Sequence, residues 1–222
     1  MPKPAPKRIM RVVLSRDLIV HTAVGLIERE GAKALSMRAV GAELGVSAMA
    51  MYNHVPDREA LVRGIAEYVM SSMDLPEERP DDWRAGARDL VRAFRRTAQE
   101  YPRCMALVVA NKTGIPVGLR VVERALTVCA QAGLDDVTSV RVMRSLMAYV
   151  LGSQLREEEL ARLQRRKGGG LADDLRGLDA EAFPHVVALP GELAEHGSDA
   201  SFEFGLELFL SSVEELAAGR TH

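Results

Sequence analysis

Apolar residues recur every three or four positions along nearly the whole chain, and that spacing leaves little room for anything but helices. One-by-one alternation of apolar and polar residues between turn signals, the mark of a half-buried strand, is hard to find. The chain therefore reads as all-α. Its N-terminal third is the most legible part. Ile19, Ala23, Leu26 and Ile27 share one helical face, Ser15 can cap the start and Gly31 ends the run, which predicts a helix over 16–30. Ser36 caps a shorter helix, 37–44, with Met37, Val40 and Leu44 facing inward, and Gly45 permits the left-handed turn that stops it. After Val46, Ser47 caps a third helix from Ala48 to about Asn53, and Pro56 opposes its continuation past His54. Asp57 opens a fourth, with Leu61, Ile65, Tyr68 and Val69 at helical spacing and Glu59 one turn before Arg63.

Beyond this point, the proline- and acid-rich segment 76–82 is the expected junction between a small head, residues 1–73, and a larger body, residues 74–222. Body helices are expected near 82–100, 103–110, 116–132, 135–164, 179–189 and 199–218, with a flexible connection at Arg165–Gly170. Charge divides along the same line. Residues 1–63 carry a net +4, which leaves −6 for the remainder of a chain whose total is −2. The basic end is the natural partner for an anion.

The same composition excludes several classes of protein. Apolar runs such as Met105–Ala110 fall far short of the roughly 18 residues needed to span a bilayer, and the N-terminus lacks the long apolar core of a signal peptide. A cytoplasmic protein with no membrane association is expected. Cys104 and Cys129 sit in apolar helical patterns with no CxxC, so they read as reduced core residues. There is no GxSxG, P-loop, GxGxxG or HExxH, and the five His are scattered, so no enzyme, cofactor or metal is implied. Glu157, Glu158 and Glu159 occupy successive helical positions that point apart, which reads as a solvated face.

Two short helices joined by a tight Gly-containing turn and braced by a longer helix form a helix-turn-helix arrangement. Leu44, Val46 and Met51 can set the crossing angle by packing inward, and the outer surface of 48–54 is then free to enter a major groove about 12 Å wide. Helix pairs of this kind also occur in proteins that never touch DNA. The residues are more specific than the geometry. The gapless run from Leu35 to Val62, with Leu44-Gly45-Val46, then Tyr52-Asn53-His54 and Arg58 opening the next helix, resembles the DNA-binding head of the TetR family of bacterial transcriptional regulators. Phe183-Pro184-His185 and Phe204-Gly205-Leu206-Glu207-Leu208 are similar, more loosely, to the C-terminal domain of the tetracycline repressor branch.

The resemblance implies a ligand-responsive regulator, a repressor by default, that binds a pseudo-palindromic double-stranded DNA operator as a homodimer and is released by a small-molecule effector. The candidate DNA contacts are Arg38, Ser47, Met49, Tyr52, Asn53, His54 and Arg58. Arg38 offers a planar fork for a guanine edge or a phosphate, and Met49 an apolar contact for a thymine methyl. Tyr52 and His54 match family positions that meet phosphates; the alternative for both is packing between the third and fourth helices. Arg58 adds a cation beside a helix N-terminus. Asn53 stands where relatives often carry a bulky aromatic. Lys3, Lys7, Arg8 and Arg11 are candidates for further phosphate or minor-groove contacts.

In the body, the last helix is apolar on two faces: Phe202, Leu206, Phe209, Val213 and Leu216 make one stripe, Phe204 and Leu208 another. A helix of this kind is buried on two sides, and a second subunit is one way to supply the second. Phe202, Leu206, Phe209 and Val213 are the candidate dimer contacts, with the helix that carries Val140, Met143, Leu146, Met147 and Val150 as their neighbour in the four-helix bundle that the resemblance implies. Trp83, Phe94, Met105, Leu126, Met143 and Met147 are candidates for an apolar effector pocket, although Met is also ordinary core filler. The competing reading is an all-α small-molecule carrier with an incidental helix-turn-helix.

Overall fold

The computed structural model describes residues 13–79, 81–110, 116–167, 170–194 and 199–219, with the side chains of residues 110, 116–117 and 158–167 excepted. Among these every regular element is a helix. The basic residues Lys3, Lys7, Arg8 and Arg11 lie outside the described residues, as do Gly168 and Gly169 of the expected connection.

The helices are α1 (Arg16–Glu30), α2 (Met37–Leu44), α3 (Ala48–Tyr52), α4 (Arg58–Ser71), α5 (Trp83–Glu100), α6 (Pro102–Ala110), α7 (Pro116–Gln131), α8 (Asp136–Lys167), α9 (Leu171–Arg176), α10 (Pro184–Ala188), α11 (Pro190–Ala194) and α12 (Asp199–Ala218). One 3-10 turn, Ala32–Ala34, follows α1. The first four helices begin and end where their caps dictate. Leu18, Ala39 and Ala50 donate their backbone N–H groups to the hydroxyls of Ser15, Ser36 and Ser47, and Ala60 donates to the Asp57 carboxylate. Where one helix was expected near 179–189, two short ones flank residue 189 instead, because Pro190 supplies no N–H to continue α10 and starts α11.

Two compact units result: residues 1–72 with 103–115, and residues 73–102 with 116–222. In the first, α1 packs on α2 and α4, and α2 on α3. Ile19, Ala23, Ile27, Val40, Met51, Leu61 and Ile65 are fully removed from solvent at its centre. Residues 103–115, expected in the body, group with this unit for a visible reason. The Glu28 carboxylate of α1 accepts from the backbone N–H groups of Arg103 and Cys104, so it satisfies the otherwise free N-terminus of α6. Cys104 and Met105 are buried behind it. Cys104 and Cys129 are both free and buried, and burial pushes both thiols up from their ordinary pKa.

In the second unit α5, α7 and α8 pack on one another, and α12 closes against α5 and α8. Along α12 the residues that turn inward are Phe202, Leu206, Leu210 and Val213, spaced by four, four and three. Phe202, Leu206 and Leu210 meet Ala87 and Val91 of α5, Val128 of α7 and Val150 of α8 in one core, and Val213 packs with Cys129, Ala132 and Leu134 in a second. Tyr149 of α8 stacks on Phe202, and its hydroxyl donates to the Phe202 carbonyl at 2.8 Å. That crossing is possible only because residue 205 is glycine. A Cβ at Gly205 would overlap the Tyr149 hydroxyl and ring.

The opposite side of α5 carries arginines at every turn, and α12 answers them with acids. Arg84 meets Glu214 and Glu207 at 2.6 and 3.0 Å. Arg88 grips Glu207, and Arg92 grips Glu203, each through two parallel hydrogen bonds. Arg95, only 6% exposed, pairs with Glu157 at 2.9 Å and Asp199 at 3.1 Å and lies 4.0 Å above the Phe202 ring. Glu157 is therefore not part of a solvated face. A buried guanidinium brought from α5 demands an anion, and Glu157 is the more buried of the two carboxylates that reach it.

Replacing Gly205 with Ala would ordinarily favour a helix by up to about 1 kcal/mol, whereas forcing a methyl against Tyr149 costs about 1–3 kcal/mol. The clash wins, so Gly205→Ala lowers the urea midpoint. The arginine ladder sets a pH dependence. The hydrogen bond from Arg88, opposed by desolvation and aided by Arg84, holds the Glu207 carboxyl at about 2, and Arg92 likewise lowers Glu203. An unfolded Glu titrates near about 4.3, so the stabilisation is complete above that pH and is lost as pH falls toward 2. Acid unfolding of the wild type should follow this window. Glu207→Gln should lower the urea midpoint at pH 7 and flatten the acid limb.

Candidate nucleic-acid interface and effector cavity

The nucleic-acid interface is built on the α2–α3 crossing. Gly45 ends α2 at φ +67°, in the left-handed region that glycine enters without strain, and the chain re-enters a helix three residues later. Met51 turns fully inward, and Val55 is buried just after it. With that side fixed, the rest of α3 has only solvent to face. Met49 is 75% exposed and Tyr52 45% exposed, while Ser47, Asn53 and His54 are exposed around them.

Arg38 on the first turn of α2 and Arg58 at the first position of α4 are exposed as well. Among the described residues the side chains of Arg38, His54 and Arg58 have no hydrogen-bond or ion-pair partner, whereas Arg29 and Arg63 of the same unit are paired with Glu43 and Glu59. The Ser47 oxygen accepts from Ala50 at 3.2 Å, which leaves its O–H free to donate elsewhere. All seven residues expected from sequence thus face solvent, at the starts of α2 and α4 and along α3 to its C-terminal end.

The second site lies wholly within the other unit. A cavity of about 140 Å³ is walled by Trp83, Leu90 and Phe94 of α5, by residues of α7, by Met143 and Met147 of α8, and by Leu210 and Val213 of α12. Four of the six residues nominated for a pocket line it: Trp83, Phe94, Met143 and Met147. Met105 does not, because it is buried in the N-terminal unit. Leu126 does not either; its α7 neighbours Val122 and Ala125 carry the cavity face. Sequence reasoning missed these small α7 positions. The spacing 121, 122, 125, 128, 129, 132 was a readable stripe, although nothing in it distinguished a cavity wall from solid core. Among the described residues no group of three or more His, Cys, Asp or Glu is placed to hold a metal ion.

The residues nominated for subunit contact need correcting. Phe202, Leu206 and Val213 are buried inside their own unit, and Phe209 is half-buried, tilted against Tyr149, so these four residues face the core of their own chain. The exposed stripe of α12 is the other one, with Phe204 at 68% and Leu208 at 56% exposure, and Leu216, expected on the first stripe, is exposed with it. A helix apolar on two faces does not reveal which face turns inward; packing against α5 and α8 decided it.

A helix-turn-helix that presents unpartnered cations, joined to a helical domain around an apolar cavity, defines a DNA-binding transcriptional regulator with a ligand-binding domain. The comparisons agree. Residues 19–65 match the family model of bacterial regulatory proteins of the tetR family, and residues 75–217 match that of the tetracyclin repressor-like C-terminal domain. The chain belongs to the TetR family. It is 28% identical to the HTH-type transcriptional repressor DrrR1 of Streptomyces coeruleorubidus, over 97% of this chain and 83% of that protein. Apo ActR from Streptomyces coelicolor superposes with a TM-score of 0.78 at 28% identity, covering 94% of this chain and 98% of ActR. ActR in complex with actinorhodin gives 0.76 at 28% identity, over 92% and 99%. No described helix is long and apolar enough to cross a membrane.

Proposed function

We propose that the protein is a cytoplasmic, non-enzymatic homodimeric repressor that binds a pseudo-palindromic operator through α2, α3 and the start of α4, and releases it when a small molecule enters the apolar cavity. The observation that carries the DNA-binding half is the set of unpartnered exposed donors at Arg38, His54 and Arg58 around a recognition helix that is bare except for Met49, Tyr52 and Asn53. Arg38 supplies the fork for a guanine or phosphate. Tyr52, His54, Ser47 and Arg58 supply phosphate contacts that fix register, and Met49 and Asn53 face the bases. The transcriptional repressor DrrR1 and the TetR family protein ActR, solved in complex with actinorhodin, are similar along nearly the whole chain and support this reading.

Two-fold symmetry of the operator requires two heads. The outward stripe of Phe204, Leu208 and Leu216 on α12, with the exposed Val137 and Leu155 of α8 and the small residues Ser145, Ala148 and Gly152 between them, is the surface that a second copy would cover. Release needs a link. The chain crosses between the units at 72/73, 102/103 and 115/116, so α6 lies in the head unit while α5 and α7, which flank it in sequence, wall the cavity. A ligand that shifts α5 or α7 pulls directly on the segment between them. A 100-fold loss of operator affinity needs about 2.7 kcal/mol of coupling.

Arg38→Ala should weaken operator binding at least about tenfold, with an unchanged unfolding midpoint, because an exposed, unpartnered side chain contributes little to stability. Gel shifts beside a urea titration decide it; unfolding of the variant would make Arg38 structural. Phe204→Glu with Leu208→Glu should yield a folded monomer that no longer holds the operator, since one head makes too few phosphate contacts. Leu206→Glu should instead unfold the domain. Sedimentation of the wild type as a monomer at micromolar concentration would refute the dimer.

A further inference from the structure

We infer that the ligand of the α5–α8 cavity is an uncharged, metal-free molecule, aromatic or alicyclic and about one ring in size; this rests on reading that cavity as the effector site. The lining gives the reason. Every described residue on its wall is apolar, and the only polar side-chain groups there are the Trp83 indole N–H and the Cys129 thiol. Burial raises the Cys129 pKa, so the thiol stays neutral, and its hydrogen is directed to the Ser139 carbonyl.

Arg84, Arg88, Arg92 and Arg95 of α5 are already committed. Trp83, Leu90 and Phe94 face the cavity from α5, while Arg84, Arg88 and Arg92 of the same helix are held by Glu214, Glu207 and Glu203 of α12. Arg95 is enclosed by Glu157 and Asp199. A carboxylate or ammonium in the cavity would lose its hydration and find no counter-charge among the lining residues, which is the costliest way to bury a charge. A chelated metal would fare no better, with no suitable donor cluster among the described residues.

Size follows from volume. A dry apolar cavity of about 150 Å³ accepts benzene, and this one measures about 140 Å³. The faces of Trp83 and Phe94 suit an aromatic guest, and the Met143 and Met147 side chains adapt to its outline.

The chain contains a single Trp, Trp83, and it stands in the wall, so its emission reports occupancy directly. Toluene and methyl benzoate should be compared with benzoate and benzylammonium at pH 7.5, by Trp83 fluorescence and thermal shift on the full chain, with and without EDTA. The neutral probes should bind at least about 100-fold more tightly than the charged ones, raise Tm and be indifferent to EDTA. Ala125→Leu, which fills the cavity, should abolish the fluorescence response while leaving the protein folded.

Binding of benzoate or benzylammonium as tight as that of toluene would overturn the inference, as would a requirement for added magnesium. So would the absence of any response to either neutral probe near its solubility limit. An operator-release assay keeps the two readings apart. Neutral probes that bind yet leave operator affinity unchanged sustain the ligand class and remove the effector role; charged compounds that release the operator through this cavity do the reverse.

Discussion

Helix α5 has two surfaces that no single neighbour can satisfy, and most of the C-terminal unit is arranged around that fact. One side, from Trp83 to Phe94, is apolar and closes a cavity with α7 and α8. The other carries Arg84, Arg88, Arg92 and Arg95, whose charges require acids in a complementary row. That row exists on α12, as Glu214, Glu207, Glu203 and Asp199, with Glu157 added from α8. Because the ladder fixes α12 rotationally, it determines that Phe202, Leu206, Leu210 and Val213 turn inward and that Phe204 and Leu208 turn out. Individual exposed pairs are worth little, but a row of bidentate pairs sets register, for which a greasy contact alone is a poor instrument.

The N-terminal unit obeys a different economy. Its first four helices are each started by a side chain that accepts a free N–H group, three serines and one aspartate in turn, and Glu28 does the same for α6. Capped helices around a small buried core, with Met51 inside it, leave the side chains of Arg38, His54 and Arg58 exposed on the outer surface. A surface of unspent donors and cations is what a polyanion can bind without first breaking anything.

The two units also differ in what a ligand could do to them. The cavity wall is apolar and held by packing, whereas the recognition surface is polar and held by caps. The backbone itself passes from one unit to the other on either side of α6. The Glu28 carboxylate that secures the start of α6 is the contact that makes α6 belong to the head unit.

Sequence by itself determined the helices whose boundaries are local chemistry. Ser15, Ser36, Ser47 and Asp57 announced four starts, Gly31 and Gly45 two stops, and the run from Leu35 to Val62 placed all seven candidate DNA contacts on a solvent-facing surface, because each depends only on residues a turn away. Tertiary structure alone decided the rest. Met105 fell to the head unit through Glu28, seventy-odd positions earlier in the chain. Glu157 became the partner of a buried arginine from α5, and the last helix spent on its own core the stripe that had looked free for a second subunit. In each case an apolar or charged residue had its character fixed by sequence and its partner fixed by distance in space, and period alone carries no information about which of two equivalent faces a distant helix will claim.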